Sequence, residues 1–179
     1  MAPSYASHAT LQAMSTHGDL DRLADARAAF ATLADRLAAG EPWPLAEDFG
    51  TGPEASWGPR EVLAHVAEML PYWLGELERV VDGGPGPTPF GRTADDPIRL
   101  GLIGRERTLP SRVLLSRVDA GLREWADRLP TLGEEDLAAV GRHPRLGDMP
   151  AGLMLERFAL GHAEDHIEQL RATLAIDSD

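Results

Sequence analysis

Apolar residues recur three and four apart in four separate stretches of this chain, and nowhere do β-branched residues alternate at a sustained spacing of two. That pattern constrains the fold most, because a helix buries a stripe of period 3.6 while a half-buried strand needs period two. In the first stretch Asp19 suits an N-cap, Leu23, Ala26, Phe30, Leu33 and Leu37 form the stripe, and Gly40 ends it. The second begins at Pro59 and carries Val62, Val66, Met69, Leu70, Trp73, Leu77 and Val80 as far as Asp82-Gly83-Gly84. The third opens at Pro110, presents Leu114, Val118, Leu122, Trp125 and Leu129, and closes at Pro130. The fourth follows Met149-Pro150 with Asp148 as its cap, and uses Leu153, Leu160, Ile167, Leu170 and Leu174. A short helical turn is expected between Gly133 and Val140.

The connections are unusual. Residues 41–58 contain Pro42, Pro44 and Pro53 and cannot continue a helix. Residues 82–108 form a Pro/Gly-rich run of about 26 residues, far longer than the turn between antiparallel neighbours, and imply a crossover. The expected fold class is all-α, a four-helix bundle with long crossover connections. Residues 1–18 show no periodicity and are expected to be a flexible N-terminal arm, with His8 and His17 facing solvent, ahead of one domain over 19–179.

Composition narrows the chemistry. The 179 residues suit a single domain with a real core. The 29 acidic against 17 basic residues give a net charge of -12, which repels nucleic acid and anionic membrane surfaces. All 17 basic residues are Arg, so Schiff-base chemistry, a P-loop lysine and a lysine base are excluded. Without Cys there is neither a disulfide nor a protein thiolate, and any metal must be held by His and carboxylate. The first 18 residues lack a signal-peptide pattern and no stretch suits a spanning helix, so a cytoplasmic protein is expected.

In Gly161-His162-Ala163-Glu164-Asp165-His166 the four-residue spacing sets two imidazoles about 40° apart, one turn above the other. Metalloproteases with two His at this spacing need Glu directly after the first; Ala163 stands there, while Glu164, Glu168 and Arg171 read as a solvated face. With six His in the chain the pair alone says little. His65 lies beside the second apolar stripe, facing a seam between helices. Three neutral imidazoles and a water would make an open metal site; three hydrogen-bonded buried histidines are the other reading. Trp57, Trp73 and Trp125 read as packing residues and His143, beside Pro144, as a turn residue. Glu61 and Glu68 read as exposed carboxylates, with orienting an imidazole as the alternative.

The run Ser56-Trp57-Gly58-Pro59-Arg60-Glu61-Val62-Leu63-Ala64-His65 resembles the lead-in to the second helix of the DinB/YfiT-like superfamily. The segment His143-Pro144-Arg145-Leu146-Gly147-Asp148-Met149, with the following His162, His166, Gln169 and Arg171, is similar to that family's final segment. The resemblance implies an up-down-down-up bundle in which His65, His162 and His166 ligate one divalent metal, zinc or nickel foremost and manganese or iron after them. It also implies helix-face association, expected here as a homodimer.

Three functions follow as expectations. One is a metal-dependent S-transferase or isomerase acting with a low-molecular-weight thiol cosubstrate and a small-molecule substrate, whose carboxylate Arg92, Arg99, Arg105 or Arg107 could hold. Another is a metal-dependent hydrolase. The third is a non-enzymatic stress-response or interaction module.

Overall fold

A computed structural model describes residues 16–176. In chain order its elements are α1 (Thr16–Ala39), α2 (Pro59–Val81), β1 (Thr88–Pro89), α3 (Pro97–Glu106), α4 (Ser111–Arg128) and α5 (Glu134–Ala138). There follow β2 (Val140–His143), β3 (Gly147–Pro150), α6 (Ala151–Leu155), a π-helical turn (Glu156–Leu160) and α7 (Gly161–Ile176). The molecule is thus mostly helical, with a small three-stranded sheet. None of its helices, among the described residues, is long and apolar enough to cross a membrane. The expected arm over 1–18 lies outside the described residues as far as position 15, as do His8 and the His17 side chain.

The four apolar stretches became the long helical runs, and the stripe of α1 is buried at all five expected positions. Pro59 sits in the first turn of α2, where its missing N–H costs nothing. α2 is central: it packs on α4, α3, α6 and α7, and every residue from 61 to 70 is buried. It approaches α4 tightly at Gly121, where a Cβ would stand 2.8 Å from that of Leu70. Trp125 fills the same seam and donates its indole N–H to the Leu70 carbonyl at 3.0 Å. Trp73 stacks on Phe158 with centroids 4.1 Å apart. Both tryptophans are core residues, as expected.

Four expectations are corrected. Asp19 is not a cap but a buried residue in the first turn of α1, which is helical from Thr16. The crossover carries a helix: Asp96 caps α3 by accepting the Arg99 N–H at 2.8 Å, and Pro97 opens it. Only Arg99 and Ile103 of α3 are buried, so it leaves no apolar stripe in the sequence. Asp148 is not a cap but lies in β3 opposite Arg142, which donates to it at 2.6 Å, and the helix begins at Ala151. Leu153, assigned to the last stripe, is 45% exposed, and Met154 and Leu155 are buried instead.

The sheet has the order β1-β2-β3, with β1 parallel and β3 antiparallel to β2. His143 pairs with Gly147 at the hairpin end, and Gly147 takes φ 77°, a left-handed conformation that favours glycine. Strands of two to four residues are too short to show alternation.

Candidate metal centre

The buried half of α2 carries His65, only 1% exposed. α7 passes against it and brings His162 and His166, whose stacked rings have centroids 4.7 Å apart, as one helical turn on one face requires. The centroid of His65 lies 5.1 Å from that of His162 and 4.9 Å from that of His166. The Nε2 atoms of His65 and His162 are 3.2 Å apart. All three residues singled out in the sequence therefore meet.

A fourth group joins them. Glu54, from a 3-10 turn in the proline-rich connection, places Oε2 3.9 Å from His65 Nε2. Glu54, His65, His162 and His166 each offer a ligand atom, all within 4.8 Å of one another, so the group could hold a metal ion. His65 and His166 are buried, whereas Glu54 and His162 are partly exposed and mark the open side. Nothing in the sequence pointed to Glu54, because a lone carboxylate in a loop has no periodic partner.

Burial sets the protonation of the imidazoles. Desolvation pushes the His162 pKa down to about 3, helped by the charges of His166 and Arg99. It likewise holds His65 well below the ordinary range, with His166, Arg99, His162 and Arg92 adding to the effect. His166 is lowered by burial too, against the opposing hydrogen bond to Gln169. At neutral pH the rings are neutral, the form in which imidazole ligates metal.

The His166 tautomer is fixed by a relay. Gln169 donates its amide N–H to the Glu54 carbonyl at 2.9 Å, so its Oε1 faces His166 Nδ1, also at 2.9 Å, and can only accept. Nδ1 must then carry the ring proton, and Nε2 is a bare lone pair. That atom is buried and has no hydrogen-bond partner. A buried acceptor left unmatched costs about 1–3 kcal/mol, a cost that a cation among these donors removes. The residues present fit a metal ion on this ground.

The carboxylates of α2 behave otherwise than expected. Glu61 is fully buried and accepts from Arg107 at 2.9 Å and from the Ala46 N–H at 3.0 Å. Glu68 is paired with Arg92. Neither is exposed, and the side chain that orients an imidazole is Gln169. Its three-residue offset from His166 on one helix was a usable signal. Trp57 is buried as expected, but against His65, with ring centroids 5.6 Å apart. Glu164, expected on a solvated face, is tied to Arg22 at 2.7 Å. A cleft of about 740 Å³ opens among α2, α3 and α4, lined in part by Glu68, Tyr72, Arg92 and Ile98, and none of the three imidazoles lines it.

A family model described as the DinB superfamily matches residues 9–170. No curated protein and no solved structure matches the chain.

Proposed function

This chain belongs to the DinB superfamily, and from that premise we propose that it binds one divalent metal ion through His65, His162 and His166 and acts on small molecules as a thiol-dependent S-transferase or isomerase. The unpartnered, buried Nε2 of His166, with its proton held on the other nitrogen by Gln169, is the observation that carries the metal assignment. Zinc or nickel suits three imidazoles best, with manganese and iron less favoured. The long helices are read as an up-down-down-up four-helix bundle, which brings ligands from α2 and α7 to one end.

A divalent ion bound there supplies Lewis acidity, favouring the anionic form of a thiol or water beside it. The chain's own contribution is positional. His65, His162 and His166 stay neutral because desolvation disfavours their charged forms. Gln169 holds one ring in the ligating tautomer. The partly exposed Glu54 carboxylate, on the open side, can accept the proton that an entering thiol releases. The thiol must come from a cosubstrate, since the chain has no Cys. Glu54 also favours a second reading, hydrolysis, in which the same carboxylate takes a proton from water. Dependence of electrophile turnover on added thiol separates the two.

The reading includes a homodimer in a cytoplasmic setting, with neither nucleic acid nor membrane as partner; the net charge of -12 supports the exclusion of nucleic acid. The decisive experiment is elemental analysis of protein purified without a metal-affinity tag and reconstituted with zinc, nickel, manganese or iron. About one equivalent per chain is expected, falling steeply in His162→Ala and His166→Ala. Less than about a tenth of an equivalent in the wild type sinks the assignment.

A further inference from the structure

Four arginines near the crossover were candidates to hold a substrate carboxylate, and the structure separates them. Arg92 is paired with Glu68 and lies over the Tyr72 ring. Arg107 is paired with Glu61 and lies over Phe49. Arg105 is largely exposed beside Glu106. Arg99 is the one whose guanidinium reaches the imidazoles, with Nη2 3.3 Å from His65 Nδ1 and 3.5 Å from Nε2.

The same Nη2 donates to Glu54 Oε1 at 2.6 Å, and this pair is asymmetric. The Arg99 side chain is 6% exposed and anchored at its back, where Nη1 donates to the Ala94 carbonyl at 2.8 Å. Glu54 is 32% exposed and stands on a single 3-10 turn that has no buried residue. The cation is built into the fold, while the carboxylate above it is the member that can be exchanged. Trp57 closes the site, its ring 5.5 Å from the guanidinium carbon, and its indole N–H is buried without an acceptor. Charge points the same way. Arg99 and Glu54 cancel each other, and neutral imidazoles would leave a divalent ion uncompensated, so this partly desolvated end favours an incoming anion.

We propose that Arg99 anchors an anion subsite, in which the carboxylate of a small substrate replaces that of Glu54 on the guanidinium. The placement of Arg99 against His65 makes the ligand a small carboxylic acid whose reacting atom lies only a few bonds from its carboxylate. This rests on the metal-dependent reading above for its chemistry, but the subsite itself needs only Arg99 and Glu54.

The test is a titration of the whole chain with acetate, and with neutral acetamide as control, followed by the side-chain N–H resonances of Arg99 and Trp57, in zinc-loaded and zinc-free protein. Wild type should show a saturable response to acetate alone, tighter with zinc. Arg99→Met should weaken it by at least about tenfold, Arg99→Lys should weaken it less, and Glu54→Gln should tighten it. Where Arg99→Met does not fold, Arg99→Lys and Glu54→Gln decide. Equal acetate affinity in wild type and the Arg99 variants, or no saturable response in wild type, overturns the subsite. A chain that takes up no zinc removes the metal reading alone, and the zinc-free titration still decides the role of Arg99.

Discussion

His143 and His166 are both 5% exposed and both lie against other rings, yet the protein treats them in opposite ways. His143 has both nitrogens matched within the chain. Nε2 faces the Arg92 carbonyl at 3.2 Å and so donates, while Nδ1 accepts from the Arg145 and Leu146 N–H groups at 3.2 and 3.3 Å. It clips the β2–β3 turn to the crossover and has nothing left to offer a ligand. His166 has one nitrogen matched and the other bare. Burial alone therefore does not mark a functional histidine; an incomplete set of partners does.

The contrast is broken most directly at His65. Metal that binds only the folded chain at about 100 times its dissociation constant adds about 2.7 kcal/mol to unfolding. His65→Ala should abolish most of that increment, whatever the cavity costs the metal-free protein. The two should be compared by denaturant unfolding with and without zinc. Equal zinc-induced gains in wild type and His65→Ala would make His65 a packing residue like Trp125.

Gln169 sharpens the comparison, because it takes the hydrogen bond at Nδ1 of His166 while leaving the ligand atom untouched. Gln169→Leu should keep the stoichiometry and weaken metal affinity by roughly ten- to a hundredfold, the usual cost of losing an orienting partner. Competition with a chromophoric chelator measures this, and an unchanged affinity would remove the relay from the site.

The smallest effect belongs to His143. Burial holds its pKa below the ordinary value of 6.5, against the raising influence of the Arg92 carbonyl. Below 6.5 the unfolded chain takes up a proton that the folded ring refuses, so this side chain's contribution is complete above 6.5 and declines as pH falls toward the folded pKa. The stability gap between wild type and His143→Leu should accordingly narrow as pH falls below about 6.5, while metal stoichiometry stays the same in both. A gap that is constant with pH would mean that the folded ring takes up the proton as readily as the unfolded one.

Much of this was legible before any coordinates. The stripes of α1, α2 and α4 announce themselves because a full helix face must be apolar, and the spacing of His162 and His166 is local. His65 stood out by its place beside the second apolar stripe, and the resemblance to a family lead-in supplied its role as a ligand. What stayed hidden depends on contacts between distant segments. Glu61 and Glu68 look like surface carboxylates until Arg107 and Arg92 reach them from the crossover. Arg99 was one of four equivalent arginines in composition, and only the fold sets its guanidinium on the Ala94 carbonyl and Glu54 beside His65. Glu54 sits in a loop that periodicity cannot describe.

The π-helical turn at Glu156–Leu160 makes the centre a matter of phase. Such a turn holds one residue more than the α-helical path needs, and each residue of an α-helix advances its faces by about 100°. Ahead of it, Met154 and Leu155 are oriented into the core; behind it, His162 and His166 are oriented toward His65. Both α6 and α7 pack on α2, so the extra residue decides which side chains of each segment meet it. Loss of a single residue from this stretch would turn the whole of α7 by about 100° against α6, carrying both imidazoles away from their partner and Ile167, Leu170 and Leu174 out of the core.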